Sequence, residues 1–176
     1  MLFLILHFLI NCCAYITAGS LRGNPRFRRV RLNTRPIGIF DSGVGGLSVA
    51  GSIRKALPQE NLLYVADSRY APYGDKSPAF IAQRSARLVD FLLERQAKAI
   101  VVACNTATVS TIQTLRAHYS IPIIGIEPGI KPASTLTQSA VIGVLATAQT
   151  ASSDSFQSLI QRVAGRTTIL VQPCPG

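Results

Sequence analysis

GIFDSGVGGLSV (residues 38–49) runs from a short apolar segment through Asp41 and Ser42 and three closely spaced glycines into a stretch of helical character. An apolar run too short for a helix, ended by a glycine turn and followed by a helix, is the strand–turn–helix unit of a parallel α/β sheet. The unit recurs at VVACNTAT (101–108). Further out, apolar runs at 37–40, 62–66, 99–103, 122–126, 141–145 and 168–171 alternate with amphipathic stretches. Continuous apolar strands of this kind are expected in a parallel sheet covered on both faces. The clearest helix is expected to start with Ser77 as N-cap and Pro78 at its first position. Ile81, Leu88 and Leu92 then fall on one of its faces and Arg84, Arg87 and Arg95 on another. The fold class that follows is α/β with a parallel sheet.

The formal charge of +10 first invites a nucleic-acid or membrane partner. Its distribution argues otherwise. Six arginines (Arg22, Arg26, Arg28, Arg29, Arg31, Arg35) and no acid lie in residues 1–35, leaving 12 basic against 8 acidic residues in the remainder. No aromatic residues interleave with a basic stripe beyond Arg35, so the expectation is no nucleic acid. Residues 2–18 (LFLILHFLINCCAYITA) have the length of a signal-peptide core or a short span, but arginines follow the run and none precedes it. Thr17-Ala18-Gly19-Ser20 resembles a cleavage site. Residues 1–35 read as an extension or a mis-called start, apart from the folded domain; a membrane partner follows only if the apolar segment is genuine. Cys12, Cys13, Cys104 and Cys174 form neither a zinc pattern nor a disulfide framework, and His7 and His118 add no metal constellation. A reducing, cytoplasmic setting and no metal are expected.

In open parallel sheets ligands bind at the carboxyl ends of the strands. At or just beyond those ends stand Asp41, Asp67, Cys104, Glu127 and Thr147, a set of polar or nucleophilic groups delivered to one edge. The glycines after Asp41 let backbone N–H groups approach an anion such as a carboxylate; the loop reads equally as a nucleotide-binding loop or a plain tight turn. It lacks the third-glycine spacing of a dinucleotide fingerprint and the Lys of a phosphate loop. Cys104, between a strand end and a helix N-terminus, has the setting that favours a thiolate, the form competent as base or nucleophile. A small buried hydrophobe is the plainer reading. Adjacent Asn105 and Thr106 favour a site, because consecutive polar groups are wasteful in a core. Pro72-Tyr73-Gly74 is either a turn before the Ser77 helix or a loop whose backbone or phenol lines the crevice.

GIFDSGVGGLSV (38–49), YVADSRYAPYGDKS (64–77), VVACNTAT (101–108), IPIIGIEPGIKPA (121–133) and VIGVLATAQT (141–150) resemble, in order and spacing, the consecutive motifs of the aspartate/glutamate racemase family, and of its glutamate racemases in particular. The similarity covers about residues 36–176. It implies two similar α/β domains, the second incomplete here, with residues 36–126 forming most of the first and 127–176 opening the second. It also implies interconversion of L- and D-glutamate without cofactor, supplying D-glutamate for peptidoglycan, in an enzyme that is a homodimer at full length. Two thiols on opposite faces of the α-carbon would share the work, and the family's second cysteine lies in a Gly-Cys-Thr-His motif that this sequence does not contain. By the resemblance Cys104 is the first acid/base and Asp41 orients substrate or assists the thiol. Ser42, Tyr73, Gly74, Asn105 and Thr106 match substrate contacts, with Thr147 a further one; Cys174 matches a non-catalytic position. The chain stops at Gln-Pro-Cys-Pro-Gly directly after a strand, where a covering helix is expected, so truncation is the expectation. The alternatives are an aspartate or hydantoin racemase relative, or an inactive fragment acting as a binding module.

Overall fold

The computed structural model describes residues 33–163, 165 and 167–174; His7, Cys12, Cys13 and the apolar run 2–18 lie outside these described residues. Four strands form the first sheet: β1 (Ile37–Asp41), β2 (Leu62–Ala66), β3 (Ala99–Val102) and β4 (Ile123–Gly125). Their spatial order is β2-β1-β3-β4, and every neighbouring pair is parallel. Between them run α1 (Leu47–Ala56), α2 (Pro78–Glu94) and α3 (Asn105–His118). The chain leaves β1 toward one edge and returns to lay β3 on its other side. The carboxyl ends of β1 and β3 therefore flank a topological switch point, the place where such sheets bind ligands.

Alternation along β1 and β3 builds two cores. Phe40, Ile100 and Val102 face Ile81, Leu88, Val89 and Leu92 of α2 with Ala107, Ile112 and Leu115 of α3. Ile37, Ile39, Ala99 and Val101 face the opposite side, where α1 contributes Ile53. Both faces are thus covered, as the apolar runs require. Chain before β1 is tied down as well, since buried Lys98 donates from Nζ to the Asn33 carbonyl at 2.7 Å and also pairs with Glu60, while Asn61 Nδ2 reaches the Thr34 carbonyl at 2.7 Å.

A second sheet pairs β5 (Val141–Thr147) with β6 (Thr168–Cys174), again parallel, around α4 (Ile130–Leu136), α5 (Ala148–Ala151) and α6 (Asp154–Val163). Ile142, Val144, Ile169 and Val171 pack on Ile130, Phe156 and Leu159. Val141, Leu145 and Leu170 point the other way and are exposed. Helix α3 contacts both α5 and α6, joining the two sheets.

Two expectations need correction. β5 and β6 alternate in burial and run past their apolar stretches to Thr147 and Cys174, so they are not the short, continuously buried strands expected. Helix α2 starts as expected, Ser77 Oγ accepting from Phe80 N at 3.3 Å with Pro78 following. Arg84, however, leaves the solvent-facing set, because Asp67 captures it from the end of β2.

Candidate active site

Asp41 is the last residue of β1 and 6% exposed. Its Oδ1 accepts from Ser42 N at 2.8 Å and its Oδ2 from Gly46 N at 2.7 Å, so the carboxylate closes the glycine loop upon itself. Gly46 has no space for a side chain: a Cβ there would stand 2.8 Å from Ala103 Cβ and 2.9 Å from Asp41 Cβ. Tyr64, in the middle of β2, donates from its hydroxyl to the Gly43 carbonyl at 2.9 Å. Burial raises its phenol pKa, and electrostatic interaction with Asp41 and then with Cys104 adds to the rise. The loop is thus pinned by a carboxylate on one side and a phenol on the other.

Cys104 follows β3 and caps α3, its Sγ accepting from Ala107 N at 3.4 Å. Ser42 Oγ lies 3.4 Å from the same sulfur, so the loop after β1 and the thiol after β3 meet across the switch point. Asn105 opens α3 and is exposed, while Thr106 is buried beside it. The Thr106 hydroxyl lies 3.2 Å from that of Thr147 and 3.3 Å from that of Thr150, and Thr147 donates to Thr150 at 3.0 Å. Thr147 also caps α5, accepting from Thr150 N. Thr150 completes this cluster and sequence reasoning missed it; its signal was the Thr147-Ala148-Gln149-Thr150 spacing, a cap followed three residues on by a second hydroxyl.

The strand-end set divides. Asp41, Ser42, Cys104, Asn105, Thr106 and Thr147 come together. Asp67 turns aside: Arg84 holds it in a bidentate pair (Nε to Oδ2 2.9 Å, one terminal nitrogen to Oδ1 2.6 Å) and the Tyr73 hydroxyl donates to Oδ2 at 2.5 Å. Burial works to raise the Asp67 pKa, but the Arg84 and Tyr73 hydrogen bonds and the Arg84 charge outweigh it and hold the carboxyl below its ordinary value. Tyr73 is 1% exposed and its pKa is raised, by burial first and then by Asp67. Its phenol is therefore spent on Asp67 inside the protein, in place of the crevice-lining phenol that was one expectation, and Gly74 is buried beside it after the cis Ala71–Pro72 bond. Glu127 is exposed and lines a separate open groove of about 1180 Å3 between α3 and α6, with Arg116, Lys131 and Arg162. Cys104 and Asp41 are not among its walls. Cys174 ends β6 beside Thr147, its thiol 3.5 Å from the Gln172 carbonyl. Among the described residues there is no cluster of His, Cys, Asp or Glu suited to a metal, and no helix is long and apolar enough to cross a membrane.

Helices on both faces of an open parallel sheet, with a thiol, a carboxylate and hydroxyls gathered at the switch point where such sheets bind ligands, define a doubly wound α/β protein. The chain belongs to the Asp/Glu/Hydantoin racemase family, whose model matches residues 42–174. It is 55% identical over 144 residues to a glutamate racemase of Methylococcus capsulatus, covering 82% of this chain and 53% of that one. With a glutamate racemase of Pseudomonas entomophila it shares 54% identity over 142 residues, covering 80% and 54% respectively. The chain thus spans about half the length of the curated relatives it matches. Among solved structures it resembles Escherichia coli glutamate racemase in complex with L-glutamate and the activator UDP-MurNAc-Ala, at TM-score 0.74 and 41% identity over 79% of this chain and 53% of that one. Glutamate racemase from Aquifex pyrophilus superposes at TM-score 0.72 and 35% identity, over 80% and 55%.

Proposed function

We propose that this chain is the first part of a cytoplasmic, cofactor-independent glutamate racemase whose product, D-glutamate, feeds peptidoglycan synthesis. The observation that carries the reading is the Cys104 sulfur at the N-terminus of α3, 3.4 Å from Ser42 Oγ at the β1/β3 switch point. The Cys104 thiolate removes the α-proton of one enantiomer, leaving a planar carbanion whose charge is delocalised into the carboxylate. A second thiol on the opposite face returns a proton, which inverts the centre; a lone base hands its proton back to the face it left. Asp41 organises the loop beside the thiol. Ser42, Asn105, Thr106, Thr147 and the backbone at Tyr73 and Gly74 hold the substrate's carboxylates and amine. Residues 36–126 form most of the first domain and 127–176 begin the second, and the full-length protein assembles as a homodimer.

The test joins this chain to the second half of the Methylococcus capsulatus relative and follows glutamate optical rotation by circular dichroism, with deuterium uptake at the α-carbon in heavy water. Racemisation of glutamate in preference to aspartate, lost on Cys104→Ala and kept on Cys174→Ala, is expected. The 176-residue chain alone should show no interconversion. A folded fusion that turns over only aspartate, or whose activity survives Cys104→Ala, overturns the assignment.

A further inference from the structure

We propose that Tyr64 is a positioning residue for Cys104: by holding the Gly43 carbonyl it sets the glycine loop so that the Ser42 hydroxyl stays against the thiol. The inference deepens the reading of Cys104 as the reacting thiol and rests on it. Three contacts carry it. The Tyr64 hydroxyl donates to Gly43 O at 2.9 Å. It also borders Gly46, where a Cβ would lie 3.2 Å from the phenolic oxygen, so the phenol backs both arms of the loop. The opposite side of the turn is held by Asp41, through Ser42 N and Gly46 N.

Ser42 stands between these pins. Its backbone is tied to Asp41, and its Oγ lies 3.4 Å from Cys104 Sγ and 3.5 Å from Asp41 Oδ1. The carbonyl that Tyr64 holds belongs to Gly43, the residue directly after Ser42; without the phenol, the glycines after Ser42 leave that segment free to rotate. A hydroxyl that donates to the sulfur supports its charge as it ionises. The hydrogen bond of the Tyr64 hydroxyl goes to the Gly43 carbonyl and not to Cys104, so its hold on the thiol runs through the loop. The raised phenol pKa agrees with this, because a neutral hydroxyl remains available as donor throughout the neutral range.

The chain itself supplies the test, with no substrate needed. Cys104 alkylation by iodoacetamide is read per cysteine by mass spectrometry near pH 7.5, with Cys174 as internal reference, in wild type, Tyr64→Phe, Ser42→Ala and the double variant. Tyr64→Phe should slow Cys104 about three- to tenfold, the range of one modest hydrogen bond. Ser42→Ala should slow it similarly, and the double variant no more than either alone, since both remove one interaction. Faster alkylation of Cys104 in Tyr64→Phe means that the buried sulfur has merely been uncovered, and overturns the proposal. So does an unchanged rate, or a fully additive double variant. Because glutamate takes no part, failure here is distinct from failure of the racemase reading, which the fusion tests.

Discussion

At Asp41 a single side chain does two things that its sequence position could not separate. Standing where β1 ends, it reads as a group presented to a ligand, yet both of its oxygens accept N–H groups of its own loop. Gly46 makes that closure possible. Replacing it by alanine sets a methyl group 2.8 Å from Ala103 Cβ and 2.9 Å from Asp41 Cβ, neither of which is the flexible end of a side chain. Gly46→Ala is therefore expected to destabilise the chain by about 1–3 kcal/mol, as overpacking does, and to move Ser42 off Cys104. Urea unfolding checks the first effect and the alkylation rate of Cys104 the second. Unchanged values for both would mean that the loop has room to spare. The glycine's presence was legible in the sequence, but what it packs against was not, because Ala103 and Tyr64 arrive from distant positions. Tyr73 shows the same limit: its burial depends on Asp67 and Arg84, and no local pattern announces that a tyrosine in an Ala-Pro-Tyr-Gly turn faces inward.

Elements tell a clearer story, since they follow from short-range chemistry. The Ser77 cap and Pro78 fixed the start of α2, and apolar runs located all six strands seen among the described residues. Their ends were less legible where burial is one-sided, as in β5 and β6. What links β2 to α2 is the Asp67–Arg84 pair, with side chains 7% and 14% exposed and the guanidinium 4.0 Å from the Tyr70 ring. Arg84→Met would leave the Asp67 carboxylate buried with only the Tyr73 hydroxyl beside it. A loss of about 3 kcal/mol is expected from breaking a buried pair on one side. The pH dependence has a definite sign. Asp67 has a depressed pKa in the folded chain, so its stabilisation is present above the ordinary aspartate value of about 4 and is lost as pH falls through the lower folded value. Wild type should thus lose stability below about pH 4 more steeply than Arg84→Met. Thermal unfolding from pH 7 down to 2.5 reads both curves; parallel slopes would mean that the pair carries no proton linkage.

Across the whole molecule the two sheets differ in how they are covered. The first is sandwiched between α1 on one face and α2 with α3 on the other. Among the described residues the second has helices on one face only, leaving Leu145 at 77%, Leu170 at 60% and Val141 at 42% exposure on the other. The register sets Val141 beside Thr168, Gly143 beside Leu170 and Leu145 beside Gln172, so Val141, Leu170 and Leu145 follow one another diagonally along this face as a narrow apolar strip flanked by Thr168 and Gln172. Parallel strands are ordinarily buried on both faces, and an exposed apolar strip marks a surface that associates. The 176-residue chain is therefore expected to self-associate as its concentration rises. Leu145→Ser together with Leu170→Ser should suppress this and change unfolding stability by no more than about 0.5 kcal/mol per site, because neither side chain lies in the core. Sedimentation velocity over a concentration series, alongside urea unfolding, measures the two quantities. If the double variant associates as strongly as wild type, the contact lies elsewhere, with Val44 and Leu47 at the rim of the candidate site, 70% and 53% exposed, as the next surface to alter. If it unfolds instead, the strip is being covered within the monomer, and the second sheet is more enclosed than its exposed residues indicate.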